Sequence, residues 1–206
     1  MQQAAHAFQA MPFKTEFDKR DKALFAFFMM TCARGGAVAS LKLGHLNVAL
    51  GHVFQDAREV NTKWAKTIYS QFYPVDKAYH DCFAAWVTYL REVKLFGPED
   101  ALFPKARVGV VKGKGFANMG LARDGFANGA KLNLIIRGAF AAVQLQQYTP
   151  HNFRKTLTHL GSELCKTAEQ FKAWSMNMGH ENVATTMNYY LPISTERQMK
   201  IIRDMG

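Results

Sequence analysis

Apolar residues recur every three to four positions along much of this chain, a spacing that predicts a largely helical protein. The first such stretch begins at about Phe17, and Leu24, Phe27 and Phe28 then fall on one face. Acidic residues in its opening turns favour a helix start at that point. A glycine pair at 35–36 interrupts the pattern, and we expect a second short helix directly after it.

Two later segments have the composition of strands. The sequences HVFQDAR (52–58) and TIYSQFYPV (67–75) are rich in β-branched and aromatic residues with partial alternation. We expect them to be neighbouring strands, and Pro74 ends the second because proline cannot donate a backbone hydrogen bond. The segment that follows, 76–93, spaces its apolar residues for one face of an amphipathic helix.

The segment from 94 to 115, KLFGPEDALFPKARVGVVKGKG, predicts a loop because it holds two prolines and several glycines. Lys112 and Lys114 alternate with glycines there, but the full phosphate-loop pattern is absent. A solvated basic loop is therefore the interpretation that this segment favours.

Beyond this loop the pattern is helical again, in five segments: LNLIIRGAFAAV, HNFRKTLTHLGSEL, TAEQFKAWSMNM, NVATTMNYY and STERQMKIIRDM. The predicted fold class is α+β, mostly helical with a small antiparallel β-sheet. With 206 residues the chain suits one domain. We expect residues 1–16 to be a lead-in or linker remnant and residues 17–206 to form the domain.

The charge of the chain indicates a polyanionic partner. Lys and Arg number 26 against 16 Asp and Glu, a formal net charge of +10, and nucleic acid is the commonest such partner. A merely basic soluble protein is the alternative that charge alone leaves open. No leader and no apolar run long enough to span a membrane is found, so a cytoplasmic, nucleoid-associated protein without membrane contact is expected. The three cysteines lie far apart and indicate neither a zinc knuckle nor a disulfide framework.

Four side chains near the end of the chain supply phosphodiester chemistry. His151 and Arg154 are three positions apart and share a helix face, and His180 and Tyr189 follow in MGHENVATTMNYY. A guanidinium matches phosphate geometry, an imidazole can donate a hydrogen bond or move a proton, and a phenol can attack phosphorus. Together they predict a site that binds and cleaves a phosphodiester.

In their order and spacing these segments resemble the tyrosine recombinases, the phage-integrase family. The sequence TCARGGAVASLKLGHLNV resembles the first box of that family and places its arginine at Arg34. The sequence PHNFR matches the His-x-x-Arg box at His151 and Arg154. The resemblance covers about residues 17–200.

The third box and the hairpin lysine complete the resemblance. The sequence MGHENVATTMNYY aligns His180 with the Gly-His position, and the usual nine-residue step from it identifies Tyr189 as the nucleophile. The adjacent Tyr190 stays open as the alternative. Lys66, followed by Thr67 and eight residues before the proline that ends the strand, matches the lysine of the β-hairpin, and Lys63 is the alternative.

The chain also departs from the pattern of the family. Ala37 occupies the position, three after the first arginine, where the family usually has an acidic residue that buttresses the site. Lys155 occupies a position where many members carry histidine. The helical DNA-clamping domain that usually precedes the catalytic domain is missing, so the chain is expected to be a fragment or a short member.

The resemblance implies a site-specific recombinase or integrase. Arg34 and Arg154 would bind the phosphate oxygens, and His180 would donate a further hydrogen bond. Tyr189 would attack after losing its proton to His151, leaving a 3′-phosphotyrosine, while the hairpin lysine would protonate the departing 5′-oxygen. No metal, ATP or other cofactor is expected, and the sequence shows no acidic cluster suited to Mg²⁺.

The expected partners are double-stranded DNA, further copies of the chain in a synaptic tetramer, and possible DNA-bending accessory proteins. The tail 192–206 is the segment that would dock on a neighbouring copy or, alternatively, pack on its own domain. Two other functions stay open: DNA relaxation of the type IB topoisomerase kind, and DNA binding by a relative that has lost catalysis, which Ala37 would favour.

Overall fold

The computed structural model describes residues 1–111, 115–180 and 182–205, and at Val111 and Tyr189 it describes the backbone alone. The α-helices of the described chain are α1 (Gln2–Ala10), α2 (Glu16–Thr31), α3 (Gly35–Ser40), α4 (Lys77–Thr88), α5 (Ala130–Ala141), α6 (Pro150–Leu164), α7 (Ala168–Asn177), α8 (Val183–Tyr190) and α9 (Thr195–Arg203). The strands are β1 (Leu46–Asn47), β2 (His52–Gln55), β3 (Ile68–Gln71), β4 (Ala106–Val111) and β5 (Gly115–Leu121). The predicted α+β class is confirmed.

Helix α2 forms the centre of the core. A reciprocal cap starts it, in which the Asp18 amide donates to Thr15 Oγ1 at 3.1 Å and the Thr15 amide donates to Asp18 Oδ2 at 2.8 Å. All residues from 23 to 31 are buried, as expected for a helix that is apolar all round. The helix ends at Cys32 in the left-handed conformation, with φ of 47°. Its last carbonyl groups therefore lie deep in the molecule.

The predicted strand pair is confirmed. Strand β2 pairs antiparallel with β3, with Val53 opposite Ser70 and Phe54 opposite Tyr69, and β1 adds to the other side of β2. The order β1-β2-β3 leaves β3 at an edge of this small sheet. Helix α4 then follows where it is predicted, and a π-helical turn, Tyr89–Val93, extends it.

The predicted loop at 94–115 is wrong in its second half. Residues 106–111 form β4, which pairs with β5 in a two-stranded hairpin that places Val110 opposite Phe116. Backbone hydrogen bonds rather than burial hold this hairpin together, since Val110 is 74% and Phe116 82% exposed. The alternation of apolar and polar residues that indicates a half-buried strand is therefore weak in this segment. Its glycines instead favour the prediction of a loop. Lys112 and Lys114 lie outside the described residues.

The first residues of the chain pack on the core. Helix α1 buries Ala7 and Phe8, and the Phe8 ring lies 4.6 Å from the Tyr79 ring between centroids. The division of the chain at residue 17 stays a prediction. Among the helices of the described segments, none has both the length and the apolar character that crossing a bilayer requires.

Candidate active site

Helix α6 presents the His-x-x-Arg box. Pro150 occupies its first turn, and the Thr149 amide donates to Asn152 Oδ1 at 2.9 Å, so the helix start is defined by its own sequence. Phe153 and Leu157 are buried against the core and fix the rotation of the helix. Arg154, one position after Phe153, is thereby turned inward and is only 4% exposed.

The guanidinium of Arg154 joins three parts of the chain. Its Nη1 donates to the Cys32 carbonyl oxygen at 2.6 Å, which belongs to the end of α2. Its Nη2 donates to the Met178 carbonyl oxygen at 2.9 Å and to His180 Nε2 at 2.8 Å, both in the turn between α7 and α8. Because a guanidinium offers donors in a rigid planar fork, these acceptors fix its orientation.

The contact with Arg154 determines the state of His180. A guanidinium has donors only, so Nε2 of His180 accepts and the ring proton lies on Nδ1. Nδ1 is 2.8 Å from Thr186 Oγ1, which in turn lies 2.6 Å from Ser175 Oγ. Burial, with the nearby charges of Arg154 and Arg34, lowers the pKa of His180 to about 4. His180 is therefore neutral at physiological pH.

A glycine permits the close approach of His180 to the sheet. Gly179 has φ of +78°, a conformation that other residues rarely adopt. A Cβ at this position would lie 2.8 Å from Ile68 Cδ1 of β3. The Gly-His pair that the sequence singles out thus has a steric basis.

Arg34 and His151 line the rim of a cleft of about 670 Å³ that also contains Arg154, His180 and Tyr190. Arg34 directly precedes α3 and is half-buried, and burial together with the charge of Arg154 lowers its pKa. Burial, followed by the charges of Arg154 and Arg34, lowers the pKa of the more exposed His151. None of the described residues that line this cleft is acidic. The described lining of the cleft, which includes Arg34, Lys63 and Arg154, is therefore positively charged.

The structure separates the two candidate lysines. Lys63 lines the cleft with Arg34, whereas Lys66 lines a neighbouring recess that it shares with His180 and Gly179. Lys66 lies two positions before the start of β3. Which of the two acts as the general acid stays a prediction.

Asn177 is a structural residue of the site that sequence reasoning missed. Its Nδ2 donates to the Gln71 carbonyl oxygen at 2.8 Å, and its Oδ1 accepts from the Gln71 amide at 2.7 Å. The carbonyl of Asn177 also accepts from Ser70 Oγ at 3.1 Å. These bonds attach the edge strand β3, and with it the preceding segment that carries Lys63 and Lys66, to the end of α7. No motif marks such a side chain, because any residue near a helix end can lie beside a strand edge.

Helix α8 carries both candidate tyrosines. The Tyr190 side chain is buried in the cleft, with its ring centroid 5.7 Å from that of His151 and 5.8 Å from that of His180. The side chain of Tyr189 lies outside the described residues, although its backbone belongs to α8. The structure therefore brings together Arg34, His151, Arg154 and His180, and the choice of nucleophile stays a prediction.

The model of the phage integrase family matches residues 2–196. The chain belongs to the phage integrase family. The resemblance expected from its motifs is thus confirmed, and the matched segment contains all of the predicted site residues.

Solved structures show the same fold in this family member. The XerA recombinase superposes with a TM-score of 0.64 at 19% identity, over 99% of this chain and 61% of that one. The XerH recombinase bound to its difH substrate superposes with a TM-score of 0.61 at 15% identity, over 97% of this chain and 50% of that one. The Tn1549 transposon integrase in complex with transposon right-end DNA superposes with a TM-score of 0.54 at 14% identity, over 98% of this chain and 63% of that one. The chain spans half to two thirds of these proteins. No curated protein matches it.

Ala37, a departure from the family pattern, lies beside Arg34 in the structure. It is 2% exposed and lines a small cavity together with Arg34 and Thr62. Thr62 Oγ1 is buried there without a hydrogen-bonded partner among the described residues. The usual acidic buttress is therefore replaced by a methyl group beside Arg34. Elsewhere in the described chain, no three His, Cys, Asp or Glu side chains are grouped as a metal site would require.

Proposed function

We propose that this phage integrase family member is a site-specific DNA recombinase that breaks and rejoins strands through a 3′-phosphotyrosine. The observation that carries the proposal is the convergence of two arginines and two histidines, Arg34, Arg154, His151 and His180, on a cleft whose described lining has no carboxylate. The positive charges of Arg34 and Arg154 repel one another across the cleft. A phosphate of the DNA backbone bound between them would offset this repulsion.

The two arginines would stabilise the transition state. Arg34 and Arg154 bind the non-bridging oxygens, and their charges offset the charge that develops as phosphorus becomes five-coordinate. Arg154 is already oriented by its protein acceptors, so little reorganisation is needed when the phosphate arrives.

The proton transfers follow from the histidine and the lysine. His151, whose pKa is lowered, is neutral near pH 7 and takes the proton of the attacking tyrosine. The Tyr189 oxygen then forms a bond to phosphorus while the bond from phosphorus to the 5′-oxygen breaks. Lys66 gives a proton to that leaving oxygen. Because the phosphotyrosine conserves the energy of the broken bond, a 5′-hydroxyl of another strand reverses the step without ATP.

Double-stranded DNA is the proposed substrate. The net charge of +10 supports it, and the XerH and Tn1549 integrase structures contain DNA. We further propose that synapsis uses self-association into a tetramer through α9, whose residues Met199 and Ile202 are 54% and 66% exposed. DNA-bending accessory proteins would assist that assembly. Deleting residues 192–206 should then impair assembly more than binding of a single DNA site.

The chain corresponds in this proposal to the catalytic domain of a longer recombinase. It spans 61% of XerA and 50% of XerH, which leaves room in those proteins for a further domain. A DNA-clamping domain would then add to the affinity of the catalytic domain for DNA. Binding measured with the full coding region against this chain alone tests the point.

A trapping experiment tests the chemistry without knowledge of the target site. The protein is incubated with a pool of nicked duplexes of randomised sequence, and adducts that resist detergent are isolated and sequenced. A nick beside the cleavage site makes the fragment that carries the free 5′-hydroxyl short enough to diffuse away. Without that hydroxyl the step cannot reverse, so the phosphotyrosine adduct accumulates. We expect adducts with the natural protein and none with Tyr189→Phe. Tyr69→Phe is the matched control, since Tyr69 is exposed on β3.

The outcomes separate the alternatives. Adducts undiminished in Tyr189→Phe but absent in Tyr190→Phe would make Tyr190 the nucleophile. DNA binding without adducts in the natural protein would favour the non-catalytic relative, for which Ala37 beside Arg34 is the supporting observation. Relaxation of supercoiled plasmid that lacks any captured sequence would instead favour the topoisomerase activity.

A further inference from the structure

We propose that Trp64 is a stacking site for an unpaired nucleobase beside the phosphate in the cleft. The base belongs to the nucleotide whose 5′-oxygen departs during cleavage, and the indole holds it away from its complement. The proposal rests on the proposed function in taking DNA as the substrate, and it names a further residue that positions this substrate.

A tight turn presents the side chain of Trp64 to solvent. In residues 62–65 the Ala65 amide donates to the Thr62 carbonyl oxygen at 3.3 Å, and Trp64 takes the third position with φ of 64° and ψ of 25°. Trp64 is 77% exposed, whereas Trp86 is 1% exposed. Folding thus leaves one of the largest apolar side chains in water, and packing within the chain gives no reason for it.

The same turn holds Trp64 in a strained backbone conformation. A positive φ at the third position of a turn favours glycine or asparagine, because a Cβ crowds the backbone there. Ala65 follows with φ of 47°, so two successive residues with side chains adopt the left-handed region. Strain of this kind concentrates at sites that bind ligands. The indole therefore costs the fold stability, and its benefit belongs to binding.

The charge around Trp64 selects the class of its ligand. Lys63 Nζ lies 5.4 Å from the indole centroid, and Lys63 also lines the cleft together with Arg34 and Arg154. This surface attracts a polyanion and repels a basic surface. DNA is a polyanion that also carries flat apolar faces, and unpaired bases stack on aromatic side chains. A nucleobase therefore suits both the charge of the surface and the exposed indole.

The lysines beside Trp64 identify the nucleotide. Both candidates for the general acid, Lys63 and Lys66, lie within two positions of Trp64, and the general acid acts on the departing 5′-oxygen. The indole therefore lies beside the nucleotide that carries this oxygen. In a paired duplex the faces of that base are covered by its neighbours, so it must leave the helix to stack on the indole. Strand exchange needs the same step, because the freed 5′-end must leave its complement before it joins another strand.

Binding to duplexes of arbitrary sequence tests the stacking site without any cleavage. One duplex is fully paired, and the other contains a short run of mismatches with 2-aminopurine at its centre. At equal salt concentration we expect the natural protein to bind the mismatched duplex about tenfold more tightly, as for one base stacked on an aromatic side chain. Stacking on the indole should also quench the fluorescence of the 2-aminopurine. Equal affinity for the two duplexes overturns the proposal.

Variants distinguish stacking from a general apolar contact. Trp64→Leu keeps an apolar side chain but has no aromatic face, so it should bind the two duplexes equally and leave the 2-aminopurine unquenched. Trp64→Phe should retain part of both effects. Phe116→Ala is the matched control, because Phe116 is 82% exposed on the β4–β5 hairpin, and it should behave as the natural protein does. An unchanged preference in Trp64→Leu overturns the proposal.

Thermal unfolding shows whether the indole serves the fold or the ligand. Trp64→Gly removes the strain of the positive φ, so it should unfold at a higher temperature than Trp64→Ala, and both variants should lose the preference for the mismatched duplex. Unchanged DNA binding with altered sedimentation in Trp64→Leu would instead assign Trp64 to a contact between copies of the chain, and it would overturn the proposal.

The trapping experiment tests the proposed function separately. A preference for the mismatched duplex that depends on Trp64, without adducts on any DNA, would leave the stacking site standing and remove the recombinase chemistry. Adducts formed by a protein that binds the two duplexes equally would do the reverse.

Discussion

The inner and outer halves of the cleft differ in how folding has prepared them. Arg154 and His180 form the inner half, are 4% and 7% exposed, and are held by acceptors from α2 and from the α7–α8 turn. Arg34, His151 and Lys63 form the rim and are more exposed, and within the described residues no hydrogen bond of the Arg34 guanidinium is found. Folding alone orients the inner half, whereas the rim is left for the substrate to orient.

The difference has a physical basis in desolvation. A buried guanidinium is stable only where acceptors replace much of its lost water, so Arg154 is held by protein acceptors before any substrate arrives and keeps its remaining N–H groups for the phosphate. Rim charges keep much of their hydration, and pairing them internally would occupy the donors that the phosphate needs. Substitution of an inner residue should therefore lower both the free energy of unfolding and the activity. Substitution of a rim residue should lower the activity alone.

The largest effect is expected for Arg154→Ala. This substitution leaves the carbonyls of Cys32 and Met178 without their donor and creates a cavity, so the free energy of unfolding should fall by about 2–4 kcal/mol. Arg34→Ala is the matched control and should change it by less than about 0.5 kcal/mol. Both should abolish adducts. Urea unfolding of the two variants provides the measurement, and equal destabilisation would contradict the division into halves.

Gly179→Ala tests the turn that positions His180. The positive φ and the 2.8 Å approach to Ile68 Cδ1 should together destabilise the protein by about 1–3 kcal/mol. Gly138→Ala, in the middle of α5 where an added Cβ meets nothing within 4 Å, should stabilise it by about 0.5–1 kcal/mol. Thermal unfolding measures both, and opposite signs are expected. A stable Gly179→Ala variant would show that the turn can relax.

Asn177→Ala should release β3 from α7. Two hydrogen bonds to Gln71 are lost, at a cost of about 1–2 kcal/mol, and exchange of the Gln71 amide should accelerate. Asn182→Ala is the comparison, because Asn182 caps α8 through the Ala184 amide and, among the described residues, has no side-chain hydrogen bond to the sheet. Hydrogen exchange at Gln71 should respond to the first variant and not to the second.

The inner half also predicts a pH dependence of stability. Since the pKa of His180 is lowered to about 4 in the folded state, the unfolded chain binds more protons between about pH 6.5 and pH 4. The free energy of unfolding should not be reduced by His180 above that window, and it should fall as the pH drops through the window. Denaturant unfolding across the window should show a shallower slope in His180→Gln, and an unchanged slope would contradict the assignment.

The smallest effect should be a spectroscopic one at the rim. Trp64 is 77% exposed beside Lys63, whose Nζ lies 5.4 Å from the indole centroid, whereas Trp86 is 1% exposed. DNA that fills the cleft should therefore change the fluorescence of Trp64. The change should be absent in Trp64→Phe, and a change that persists in that variant would report on another tryptophan.

Local patterns were sufficient for helices α2, α4 and α6, whereas helix α1 (Gln2–Ala10) lies in the segment expected to be a lead-in. Helices α2, α4 and α6 are recognisable because apolar spacing and capping residues act within a few positions of one another, and a helix face necessarily unites His151 with Arg154. The strand pair β2–β3 was recognisable for the same reason. The hairpin β4–β5 was not, because its apolar residues face solvent and its glycines resemble those of a loop.

By itself, the sequence determined which side chains could act on a phosphate and in what order they come along the chain. Tertiary structure alone decided that Arg154 is buried and paired while Arg34 is not, and that Asn177 holds β3 to α7. The physical reason is that the partners of these side chains are backbone carbonyls and amides. Every residue but proline carries both groups, so only the folded chain reveals which ones meet a side chain.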